Sequence, residues 1–187
     1  MDERTLNHEL EAGNYTPALK PFHREAMLDL VLAWGTLDGA LAMLLAHLMR
    51  VPYHEAADNI GKQSGSGKLA EMIRLIKQLD SAEKAIKFLK KHKRLYERHS
   101  KPRNKIAHGH CAGYLLADDN YVVFAIFERT GQEGLAVDAV PVEEMERATK
   151  WGEAFTTFIV NMLNRLDGEE VSNDSGASQQ SEQLASK

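Results

Sequence analysis

Residues 22–50 hold the longest apolar run in the chain, and any fold must first find a place for it. Leu28, Val31, Leu32, Leu37, Leu41, Leu44, Leu45 and Leu48 recur near helical spacing. The apolar character is broad, which predicts a central helix in a bundle. A membrane span is the competing reading. Asp29, Asp38 and His47 inside the run, and the lack of flanking basic anchors, argue against it, so no membrane partner is expected. Gly35 and Gly39, four apart, permit close helix approach. Trp34 reads as core or interface, and Pro52 ends the helix.

Around that helix the spacing predicts more of the same. A short helix is expected over 54–60 and amphipathic helices over 68–80, 82–100 and 142–166, the last opened by Pro141. Between them, residues 112–140 change period. Tyr114, Leu115 and Leu116, then residues 121–127, then 135–140 read as two or three short strands, with turns at 118–120 and 131–134. The expected fold is mainly α: an up-and-down bundle of about four long helices spanning 21–166, with a small β-hairpin insert at 112–140. Residues 1–20 form an N-terminal arm, with a short helix that carries Leu6 and Leu10 and breaks near Gly13. From residue 167 to 187 the chain is rich in Ser, Gln, Glu and Gly, and a disordered tail is expected.

Composition narrows the setting. The chain has 187 residues, enough for one domain with a good-sized core. A single cysteine, Cys111, excludes an internal disulfide framework and fits a reducing compartment. The first residues, Met1, Asp2, Glu3 and Arg4, lack the basic start and apolar stretch of a signal peptide, so the cytoplasm is the expected location. The net charge of −4 conceals a sharp asymmetry: residues 84–105 carry ten Lys or Arg and one acid, Glu97, which leaves −13 on the rest. A concentrated basic stripe on an acidic protein is a footprint for a polyanion. A solvated lysine-rich helix face is the plainer alternative. Lys87, Lys90, Lys91, Arg94, Arg98, Lys101 and Lys105 are the candidate RNA contacts. His92 and His99 sit on the apolar side of the same helix and read as packed histidines.

Two tempting motifs fail. Residues 61–68 look like a phosphate-binding loop, but Lys62 stands where a glycine is needed and Leu69 replaces the Ser or Thr. They read as a flexible linker. His108, His110 and Cys111 make a partial metal set with no second cluster at ligand spacing. No metal and no cofactor are expected.

Residues 103–109, Arg-Asn-Lys-Ile-Ala-His-Gly, are the densest chemistry in the chain. On a helix Asn104 and His108 share a face, and Ile106 lies about 200° from each. If Ile106 packs inward, Asn104 and His108 point to solvent or to another chain. Pro102 can kink or restart the helix, and Gly109 can end it. RNA carries its own nucleophile, the 2′-hydroxyl. Its cleavage needs a group that exchanges a proton near neutral pH, and histidine has an unperturbed pKa of about 6.5. An arginine fork stabilises charge on phosphate, and an asparagine can orient either group. The competing reading has Arg103 and Asn104 fixing a helix end that His108 caps.

This stretch resembles the R-x4-H motif of the HEPN superfamily, with a polar residue directly after the arginine. By layout the resemblance covers residues 21–166. It implies a compact helical domain, with Arg103 as phosphate stabiliser, Asn104 as orienting group and His108 as general acid or base. It also implies a homodimer whose two motifs share a cleft. The implied activity is a metal-independent endoribonuclease of a toxin, defence or RNA-processing system. The implied alternative is a non-catalytic dimerising or adaptor module that binds a partner protein, such as an enzyme or antitoxin.

Overall fold

The computed structural model describes residues 1–79, 82–126 and 136–184, with the backbone alone at 126, 136 and 167–184. In chain order the elements are α1 (Glu3–Glu11), β1 (Tyr15–Thr16), α2 (Pro21–Met49), α3 (Tyr53–Asn59), α4 (Gly65–Ile76), α5 (Glu83–His108), β2 (His110–Leu115), β3 (Tyr121–Ile126), β4 (Ala136–Pro141) and α6 (Val142–Leu184). The protein is mainly helical, with one small antiparallel sheet in the order β1-β2-β3-β4. Three helices exceed 25 residues, and α4, which packs with them, has 12. The disordered tail expected at 167–187 falls where side chains lie outside the described residues; the backbone of α6 is helical through Leu184.

Leu30, Leu37, Leu41 and Leu45 of α2 are completely buried, and Trp34 and Leu44 nearly so. They form one core with Leu69 and Met72 of α4, Leu89 of α5, and Met145, Phe155 and Ile159 of α6. Burial all round α2 does not occur. Leu28 is 58% exposed, Leu32 60%, Val31 42% and Met43 48%. Gly35 and Gly39 lie between them with open space where a side chain would sit. The row from Leu30 to Leu45 faces the other helices, and among the described residues no element covers the opposite side. α2 is long and apolar enough to cross a bilayer, and 44% of its most apolar window is buried.

The insert is larger than a hairpin. β4 pairs with β3, β3 with β2, and β1 from the arm adds a fourth strand beside β2. Strand alternation gives the sheet two apolar faces. Val122, Phe124 and Val140 enter the main core, while Leu115, Val123 and Ala139 pack on Leu10 of α1. The arm thus belongs to the fold. The turn at 118–120 is present, with the Asn120 N–H donating to Asp118 Oδ1 at 3.1 Å; the turn expected at 131–134 lies outside the described residues. That first turn is anchored to the start of α2. Fully buried His23 accepts the Lys20 N–H on Nδ1 at 3.1 Å and donates from Nε2 to the Asp119 carbonyl at 2.5 Å, and the Lys20 ammonium pairs with Asp119.

Residues 61–68 are not all linker. α4 starts at Gly65 because the Ser64 hydroxyl accepts the Gly67 N–H at 3.1 Å, a side-chain cap that satisfies one free donor of the first turn. A Cβ on Gly65 would sit 2.3 Å from the Tyr96 hydroxyl, so α4 and α5 approach closest at this point.

Gly113 is where β1 meets the sheet. Its φ is +120°, it follows a bulge, and an added Cβ would lie 1.6 Å from the Thr16 carbonyl oxygen. Gly113→Ala therefore has both backbone strain and a backbone collision. It should lower stability by on the order of 2–4 kcal/mol. Urea unfolding measures this, and an unchanged midpoint would contradict the assigned β1–β2 approach.

Candidate nucleic-acid interface

α5 builds the site. Its 26 residues run through Pro102, which is buried, so the helix does not restart there. Leu89 faces the core, and Phe88, Tyr96 and Ile106 are partly buried against it. The cationic residues therefore fall on the other side. Lys84, Lys87, Lys90, Lys91, Arg94 and Arg98 line one open trough floored by Phe88 and Leu95. Lys101 is exposed, one turn nearer the motif. Two neighbouring cations are engaged: Lys93 pairs with Glu97, and Lys105 pairs with Asp138 of β4, which draws Lys105 toward the sheet. The Lys93 bond, with one from the Ser66 hydroxyl, holds the Glu97 carboxyl below its ordinary range.

At the motif, Asn104 and His108 are exposed and Ile106 packs on the core, as helix geometry requires. Arg103 is half-buried and donates from Nη1 to Asn104 Oδ1 at 3.3 Å. His108 makes no bond to either among the described residues, and for Arg103 the helix geometry explains why. At about 100° per residue, His108 projects roughly 140° around the helix from Arg103, and only about 20° from Lys101. One chain thus brings Arg103 to Asn104, and His108 to the flank of the basic row. His108 is the last residue of the helix. His110 opens β2, and Cys111 is half-buried beside the core. Among the described residues no group of three or more His, Cys, Asp or Glu is placed to hold a metal ion.

The surroundings of Arg103 are not readable from the sequence. Tyr96, two turns earlier, has its hydroxyl raised from the ordinary value, first by burial and then by Asp38, while the Arg103 charge pulls it down. Asp38 in turn accepts Lys68 Nζ at 2.8 Å, and the Lys68 side chain is wholly buried. The motif arginine therefore stands at one end of a polar cluster that joins α2, α4 and α5. Nothing in the spacing of residues 61–68 marks Lys68 as buried.

The two packed histidines lie where the apolar face of α5 meets α6. His92 stacks on Phe155, with ring centres 4.7 Å apart, and its Nδ1 contacts the Phe88 carbonyl at 3.0 Å. His99 stacks on Trp151 at 5.2 Å.

In comparisons with known proteins, no family model, no curated protein and no solved structure matches this chain significantly.

His99 gives the interface a pH dependence. Burial, then Arg98 and Arg147, lower its pKa from the ordinary 6.5, against a smaller opposing pull from Glu144. The folded state thus binds this proton less well than the unfolded state. The contribution is present in full above about pH 6.5 and is lost as pH falls from there toward the lowered value. His99→Phe should keep the stack on Trp151 and flatten the fall in melting temperature between pH 7 and pH 5. Parallel falls in variant and native protein would contradict the assignment.

Proposed function

We propose that this protein is a metal-independent endoribonuclease that works as a homodimer, with α2, α4, α5 and α6 as a four-helix bundle of HEPN type. The observation that carries the reading is the placement of exposed Asn104 and His108 at the end of a helix whose outer face is a row of unobstructed cations. The row follows an RNA backbone by charge, and the motif stands where the strand leaves it.

The chemistry needs few parts. The 2′-oxygen attacks the adjacent phosphorus, the bond to the 5′-oxygen breaks, and a 2′,3′-cyclic phosphate and a 5′-hydroxyl are left. One proton comes off the 2′-hydroxyl and one goes onto the leaving 5′-oxygen. A single histidine does one of these tasks at a time, so His108 of two copies can supply both. Arg103 neutralises the phosphate, held in place by Asn104.

Dimerisation has a surface to use. Trp34 meets Tyr96, while Leu41 and Leu44 share a cavity with Phe88 and Leu89, so α2 and α5 run antiparallel. The exposed Leu28, Val31 and Leu32 therefore lie at the same end as Arg103. Two copies pairing through that face across Gly35 and Gly39 with their α2 helices parallel would bring their motifs to one side. The other reading is a non-catalytic adaptor that holds a partner protein or antitoxin on the same surface. The separation of Arg103 from His108 within one chain favours it, because an adaptor does not need them to converge.

Incubation of total cellular RNA with the native protein in EDTA tests the first reading. The native protein should release cyclic-phosphate ends, and His108→Ala should lose at least 100-fold in rate while keeping its fold and RNA affinity. Cleavage that survives in His108→Ala would remove the assignment. Lys87→Glu with Arg94→Glu should instead weaken binding and make log affinity fall less steeply with log salt. Leu32→Glu should give monomers in sedimentation and lose activity with them. An active monomer would rule out the shared cleft.

A further inference from the structure

An apolar groove opens over one side of the helical core. A cavity of about 330 Å³ lies between α2, α4, α5 and α6, lined only by apolar side chains, among them Leu44, Met72, Leu89, Phe155, Ile159 and Met162. An apolar cavity of roughly 150 Å³ already takes up benzene. By that measure this one has space for on the order of ten carbon atoms. It is not sealed: Phe158 at its rim is 42% exposed. Phe88 lines both this cavity and the cationic trough, and Ala85 at the rim lies between Lys84 and Lys87 of that trough. An apolar slot thus opens beside a cluster of ammonium groups.

We propose that the cavity binds an anionic single-chain amphiphile, a medium-chain alkyl carboxylate in its simplest form, with the chain in the slot and the head group on Lys84 and Lys87. Charge selects this occupant. A neutral chain leaves the ammonium row unused, and a cationic head group meets like charge. The site stands apart from Asn104 and His108 and does not depend on the ribonuclease reading.

Isothermal titration of the full chain with alkyl carboxylates of six to fourteen carbons, and with the matching primary alcohols, tests the proposal. Saturable one-to-one binding is expected, with affinity rising about fourfold per methylene and levelling off near ten carbons. Lys84→Glu with Lys87→Glu, both on exposed side chains, should weaken the carboxylate about tenfold and leave the alcohol unchanged. Ile159→Trp should abolish both if it folds, and a Met72→Phe variant gives a milder filling of the same space. No saturable binding to the folded native protein would overturn the proposal, because the slot is then closed or held by this chain or a second copy. Affinity that climbs with chain length without a plateau, or carboxylate and alcohol binding alike, would also overturn it.

Discussion

The buried row of α2 is the constraint on which the other elements depend. Leu30, Leu37, Leu41 and Leu45 have no exposed surface, and each such burial is worth about 1.5–3 kcal/mol relative to exposure. The row orients α2, and two contacts then pass that orientation on. Trp34 meets Tyr96 edge-on at 4.7 Å and fixes where α5 crosses. Asp38 takes the ammonium of wholly buried Lys68 and fixes where α4 begins. Removing the Asp38 carboxylate would leave the buried Lys68 ammonium with the residue-38 backbone carbonyl, at 3.4 Å, as its remaining acceptor among the described residues. A salt bridge is a weak source of net stability, but here it specifies register: α4 cannot slide along α2 without stranding Lys68.

The same register sets the chemistry. Tyr96 lies over Gly65 because α4 is pinned there, and Arg103 lies two turns beyond Tyr96 on the same face of α5. Pro102 sits between them without breaking the helix. A proline inside a helix removes one backbone hydrogen bond, and burial of its ring among neighbours can offset that loss. The consequence is phase. Because α5 does not restart at Pro102, the 100° step carries through from Lys84 to His108, and the cationic row and the exposed motif residues stay on adjoining sides.

Much of this was legible in local pattern. Periodicity located α2, most of α5 and the stretch of α6 up to residue 166, and the inward position of Ile106 was enough to turn Asn104 and His108 outward. What was not legible depended on distant partners. β1 is two residues long and exists only because β2 lies beside it. The arm earns its place through Leu10, which looks no different from any other leucine on a short amphipathic helix. Gly65 and Lys68 read as linker because glycines and serines favour turns, yet one serine hydroxyl in the capping position and a carboxylate 30 residues away make them the buried start of α4. The exposed side of α2 was hidden for the opposite reason: an apolar residue reads as core whether the partner is in the same chain or not.

Charge then decides which surfaces remain for a polyanion. Glu25, Asp29, Glu146 and Glu153 line a groove between α2 and α6, with Lys150 as its one cation. A polyanion would be repelled there and attracted to α5, and at physiological salt, with a screening length of about 8 Å, the two regions act as separate surfaces. α5 meets α2 through its apolar side, so its cationic row points away from α2. Pairing two copies through the exposed side of α2 therefore covers apolar surface without covering the row. The acidic grooves of α2 and α6 lie along the same pairing surface and would flank the contact, where they discourage RNA from entering between the copies. Pairing through the exposed side of α2 would thus leave both basic rows in solvent, and with the two α2 helices parallel it would put the two motifs at the same end.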